Sequence, residues 1–251
     1  MPINLKKQLI DEIGSDLRQL AEIISDFQLS VRADREIYRA SGDLRRNDRG
    51  DDVLSIQLVN IELRIHNQQK LKPAGVELDD SLVADIILRQ NLDLASTGAT
   101  LDSILHNSVT FKIKGIPNRD ETIPKLISAW HFDYHSYGSD HASACHPMFH
   151  WQFGGWGLKD VSDDISGVLV MDTPRLFAPP LDAVLAVDFL LSHFNGPAWQ
   201  RVRSQEPRYS RMVRRSQARL WKPFFDELSD HIVNGGDSTS KHFGKLLPNI
   251  L

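Results

Sequence analysis

The sequence predicts an α+β protein: a mainly antiparallel sheet, a long N-terminal helix, and C-terminal helices packed on one face. Three observations carry this expectation. Apolar residues recur at helical spacing through the first forty residues and again after Pro207. Several segments between them alternate apolar and polar with the period of a strand. Two of those segments flank a Ser-, Gly- and His-containing loop and read as a hairpin. The expected organisation is an N-terminal helix over residues 1–43, a single α+β core over 52–230, and a partly flexible tail over 231–251.

In the N-terminal segment Ile10, Ile13, Leu17, Leu20, Ile24, Phe27 and Val31 are spaced 3, 4, 3, 4, 3, 4, the seam of a two-stranded coiled coil. Two readings follow. The helix makes a homodimer or protein-partner contact, or it lies along its own domain, where most helical stability originates. Gly14 inside the seam costs about 1 kcal/mol relative to alanine. Residues 41–52 (SGDLRRNDRGDD) are charged and glycine-punctuated and read as a linker.

The run VLSIQLVNIELRI, residues 53–65, is rich in β-branched residues and predicts a long strand with Val59, Ile61, Leu63 and Ile65 inward, opposite Asn60, Glu62 and Arg64. Pro73 to Gly75 breaks it. Residues 80–94 suit either a short helix capped by Asp80 or Ser81, or a strand. A second short helix is expected over 100–106, then a strand over 109–113 ended by Gly115 and Pro117.

Residues 130–155 (WHFDYHSYGSDHASACHPMFHWQFGG) hold five of the ten histidines and are the chemically richest stretch. A strand over 129–137 puts His131, Asp133 and His135 on one face and Trp130, Phe132 and Tyr134 on the other. A strand over 148–153 does the same with His150 and Gln152 against Phe149, Trp151 and Phe153. Antiparallel pairing across the 136–147 loop brings three histidines and one aspartate to cross-strand distance. Such a set suits a divalent transition metal, zinc or manganese, with His131, His135 and His150 as ligands and Asp133 as ligand, orienting group or general base. Two other readings stay open: metal-free acid/base chemistry by two histidines, and a polar face that simply meets water.

Beyond the hairpin, 160–167 is an acidic loop, 168–171 a short strand, and 172–180 (DTPRLFAPP) extended because three prolines fix φ. Residues 181–194 form an apolar helix that Asp182 caps. Asp188 within it requires an edge position or a cationic partner such as Arg175. Pro207 opens a last helix over 207–228, which Pro223 ends or kinks. Arg208, Arg211, Arg215, Arg219 and Lys222 share one face of it; Tyr209, Val213, Leu220 and Phe224 share the other. From 201 to 222 there are eight basic residues and one acid, Glu206. The stripe suits a phosphate backbone, or a surface that is solvated or docked on acidic groups.

Composition bounds the function. A net charge of −4 argues against a globally basic nucleic-acid binder but leaves room for a local basic surface. No apolar run reaches the roughly 18 residues of a membrane span, and the first residues lack the apolar stretch of a signal peptide; a cytoplasmic protein with no membrane contact is expected. Cys145 is the single cysteine and has no internal disulfide partner. Two functions follow. The first is a metal-dependent hydrolase of a phosphoester, nucleotide or nucleic acid, with Asp133 and Arg175 as catalytic groups and Arg208, Arg211, Arg215 and Arg219 as phosphate contacts. The second is a non-catalytic subunit or adaptor that binds a protein or nucleic acid through its N-terminal helix and Arg-rich helix.

Overall fold

Among the described residues six strands, each antiparallel to the next, form one sheet in chain order. The protein is seen here as a computed structural model that describes residues 3–46, 52–65, 82–95, 100–115, 126–134, 148–154 and 176–234. In chain order the elements are α1 (Ile3–Asp26), α2 (Ala33–Arg46), β1 (Val53–Ile65), β2 (Leu82–Asp93), β3 (Ile104–Gly115), β4 (Leu126–Tyr134), β5 (Phe149–Phe153), β6 (Leu176–Phe177), α3 (Ala183–Phe194), α4 (Gly196–Gln205) and α5 (Pro207–Val233). The fold is α+β, with N-terminal and C-terminal helices as expected. No described helix is long and apolar enough to cross a membrane. The expected turn at 73–75, the acidic loop and strand over 160–171, and the tail beyond 234 lie outside the described residues, as do His135, Cys145 and Arg175.

One face of the sheet is apolar across five strands. Leu58 of β1 pairs with Leu88 of β2, Leu88 with Val109 of β3, Val109 with Phe132 of β4, and Phe132 with Trp151 of β5. Helices cover this face: Phe189 of α3 meets Phe111 and Phe132 at ring-centroid distances of 5.4 and 5.1 Å, and Phe224 of α5 meets Phe149 at 5.5 Å. Within β1 the buried parity changes from Leu54, Ile56 and Leu58 to Ile61, Leu63 and Ile65. The cause is a bulge, since the register skips from Leu58↔Leu88 to Ile61↔Ile86 and Asn60 takes φ 59°. Val59, expected inward, is therefore only half-buried.

Several expectations change. Residues 80–94 form strand β2, because pairing with β1 on one side and β3 on the other outweighs an ambiguous local pattern. The helix expected over 100–106 is a single 3-10 turn, Leu101–Ser103, feeding directly into β3. The forty-residue helix is two helices. Residue Gln28 adopts φ 57°, while Leu29 N–H donates to Ile24 O and Gln28 N–H to Ser25 O, both at 3.0 Å. This is a Schellman stop with glutamine where glycine is usual. The connector then bridges the outer edge of β1, with Val31 N–H donating to Glu62 O and Arg64 N–H to Leu29 O, each at 2.9 Å. Helix α2 runs through Ser41, the expected start of the linker, and buries Ala33, Ile37, Ser41 and Leu44.

The heptad seam is buried inside the chain. Ile10, Ile13, Leu17, Leu20 and Ile24 belong to one apolar cluster with the sheet, Phe27 is half-buried, and Val31 is exposed. Gly14 lies against α2, where Ser41 Oγ donates to its carbonyl at 2.7 Å. Asp182 caps α3 by accepting from Leu185 N–H at 3.0 Å. Pro223 does not end α5, which continues to Val233. Buried Leu220 and Phe224 hold the helix on either side of it, and Trp221 Nε1 donates to Pro180 O at 2.9 Å.

These details predict two stabilising substitutions. Gln28→Gly removes the left-handed penalty at the end of α1. Gly14→Ala places a methyl 3.8 Å from Ser41 O, an ordinary contact, and improves helix propensity. Each is expected to add about 0.5–1 kcal/mol, read as a higher denaturant midpoint at unchanged slope.

Candidate metal centre

Strands β4 and β5 pair with Trp130↔Phe153, His131↔Gln152, Phe132↔Trp151, Asp133↔His150 and Tyr134↔Phe149. Three cross-strand aromatic pairs set this register from the apolar side: Tyr134–Phe149 at 4.5 Å, Trp130–Phe153 at 5.5 Å and Phe132–Trp151 at 6.3 Å. Because strand parity is strict, packing Trp130, Phe132, Tyr134, Phe149 and Trp151 against the core puts His131, Asp133, His150 and Gln152 together on the opposite face.

On that face His131 Nε2 lies 3.5 Å from Asp133 Oδ2. The rings of His131 and His150 stand 5.9 Å apart at 84°. One potential ligand atom from each of His131, Asp133 and His150 falls within 4.8 Å of the others. Bonds of about 2.0–2.2 Å put tetrahedral ligand atoms roughly 3.3–3.6 Å apart, so modest side-chain rotation closes the set on an ion. The site is neither flat surface nor sealed core: the side chains of His131 and Asp133 are 16% and 22% exposed, whereas His150 is 2% exposed. Strand β3 adds Ser108 opposite Asp133 and Thr110 opposite His131. The sequence reading did not single out these two hydroxyls, although the alternation of 109–113 carries them to the same face as the histidines.

The arginine stripe on α5 has carboxylate partners within its own chain. Arg208 binds Glu206 at 2.8 Å and Glu22 of α1 at 3.2 Å, and its hydrogen bonds hold the Glu206 carboxyl below the ordinary range. Arg215 bonds Asp16 of α1. Arg219 binds Asp182 and Glu12 at 2.8 Å and lies 3.7 Å from Asp16. Arg211 is exposed. Much of the basic face is thus docked on acidic groups of α1 and on the cap of α3. Asp188 is met by Trp199 Nε1 at 2.9 Å and Arg203 at 3.7 Å, both from α4.

Asp16 is almost fully buried, and burial pushes its carboxyl above the ordinary range even though Arg215 and Arg219 pull the other way. Burial works against the charge of Arg219, but Asp182, Asp16 and Glu12 hold it firmly protonated.

Comparison of the chain with protein-family models, curated proteins and solved structures finds no match.

Two stability measurements follow. Arg219→Ala leaves Asp16 and Asp182 without their shared cation and is expected to cost about 3–5 kcal/mol, whereas exposed Arg211→Ala stays within about 0.5 kcal/mol. Asp16 supplies a pH dependence. Its raised folded-state pKa means the folded protein keeps a proton that the unfolded chain has already released, so stability falls as pH rises from the ordinary aspartate value through the raised one. Asp16→Asn is expected to remove that downward component from the curve of unfolding free energy against pH.

Proposed function

We propose that the protein is a metal-dependent hydrolase of phosphoesters in nucleotides or nucleic acid, with a divalent transition ion held by His131, Asp133 and His150. The observation that carries this reading is the convergence of two imidazoles and a carboxylate within 4.8 Å on a partly shielded sheet face. Histidine nitrogen and carboxylate oxygen are the donors that zinc and manganese accept, and three protein ligands leave a position for water or substrate. His135, two residues beyond Asp133 in the sequence, would be the third ligand where Asp133 serves as base, so that one position stays open for water. A bound divalent ion supplies a water of lowered pKa and polarises a phosphoryl oxygen. Around it, His131 and His150 would orient that ion, Asp133 would ligate it or accept the proton of the attacking water, and Arg175 would contact the substrate. Hydrolysis then adds the water oxygen to phosphorus and returns a proton to the departing alkoxide.

The adaptor alternative draws less support. Its two contact surfaces, the seam of α1 and the stripe on α5, face the chain's own core and the chain's own carboxylates.

The test is elemental analysis of untagged protein beside a His131→Ala/His150→Ala variant, with unfolding curves as a check on both. About one equivalent of zinc or manganese in the parent, lost in a folded variant, is the expected result. Equal metal in both, or none in the parent after reconstitution, refutes the proposal.

A further inference from the structure

One cross-strand row on the polar face continues past the candidate centre. Arg89 of β2 pairs with Ser108 of β3, Ser108 with Asp133 of β4, and Asp133 with His150 of β5. The alternation of β2 buries Leu88 and Gln90 toward the helices and leaves Arg89 exposed on the opposite side. Adjacent strands lie roughly 4.8 Å apart, so Arg89 starts about 10 Å from Asp133, with one strand between them. That intervening strand offers small hydroxyl side chains: Ser108 in the same row and Thr110, opposite His131, in the next. The register thus places Ser108 and Thr110 between Arg89 on one side and the His131, Asp133 and His150 set on the other.

The charge on this face is already sorted. Lys114 lies within 3.7 Å of Asp85 and 3.9 Å of Glu62. Among the described residues Arg89 has no carboxylate partner. The Arg89 guanidinium only donates, the two hydroxyls beside it can donate as well, and its planar fork matches two oxygens of a tetrahedral anion. Aspartate, by contrast, repels such an anion unless a cation stands between them. This row of side chains therefore suits an oxyanion that bridges a metal and a guanidinium, as a phosphoryl group does.

We infer that Arg89, with the hydroxyls of Ser108 and Thr110, forms the subsite that holds the phosphoryl group of the substrate beside the metal. This rests on the metal-centre reading above and gives it a specificity residue on a strand that local sequence left ambiguous. Arg89 contacts the nonbridging oxygens, the hydroxyls donate to the same group, and the metal-side residues face the scissile bond.

The experiment measures inorganic phosphate binding to the metal-loaded full chain by titration calorimetry, with metal content determined on the same samples. Four proteins are compared: the parent, Arg89→Ala, Arg89→Lys, and Arg64→Ala, which removes another exposed arginine on the same face. The expected result is unchanged metal content throughout, phosphate binding weakened about 10- to 100-fold in Arg89→Ala and less in Arg89→Lys, and no change in Arg64→Ala. Equal phosphate affinity in Arg89→Ala and the parent overturns the inference while leaving the metal centre standing. So does an equal loss in Arg64→Ala, which would mean general charge attraction, and so does metal-loaded parent protein that binds no phosphate. Absence of metal from the parent refutes the hydrolase reading itself, and this inference falls with it.

Discussion

The aliphatic and aromatic face running from Leu54 on β1 to Phe149 on β5 has to be kept from water, and covering it sets most of the remaining architecture. At about 25 cal/mol per Å² of apolar surface, a face of this extent outweighs every individual polar contact in the molecule. Helices α1, α3 and α5 supply the cover, and their own apolar stripes are consumed in doing so. The heptad spacing of α1 follows from this: a helix laid on a sheet and against a second helix needs a continuous stripe just as a coiled coil does. Its burial extends beyond a two-position seam to include Asp16, Ala21 and Ile23.

Bringing three helices onto one face also brings their polar flanks together. Arg215 and Arg219 of α5, Asp16 and Glu12 of α1, and the Asp182 cap of α3 meet in a shared network, with Ser216 Oγ donating to Asp182. Buried ion pairs contribute little net stability compared with apolar replacements, because desolvation offsets the Coulomb gain. Removing one member is costly all the same. The network therefore acts mainly to fix where α5 lies along α1, since a guanidinium fork donates to its carboxylates in few orientations.

The opposite face of the same strands carries the candidate ligands. The rings of Trp130, Phe132 and Tyr134 go down into the helices, and the alternation of the strand brings His131 and Asp133 up. A one-residue slip of β4 would turn Phe132 and Tyr134 away from the helices and His131 and Asp133 toward them, so the energy that holds the core also holds the candidate ligands in register. The centre needs no separate scaffold.

The sequence alone was sufficient for the α+β class, for the bounds of β1, for the two faces of residues 130–134 and 149–153, for the Asp182 cap and for the start of α5 at Pro207. These are local: periodicity and capping chemistry depend on neighbours within a turn or a strand. The break at Gln28 was not legible, because a left-handed stop carried by glutamine leaves none of the mark that glycine leaves. Strand β2 was not legible either, since its apolar pattern fits helix and strand alike until β1 and β3 pair with it. The destination of the arginine stripe lay on α1, almost two hundred residues away at Asp16. Arg89 reached the row of Asp133 only through two strand registers. The sequence thus determined which side chains share a face, and tertiary structure decided what each face meets, because partners distant along the chain are chosen by packing and by the register of the sheet.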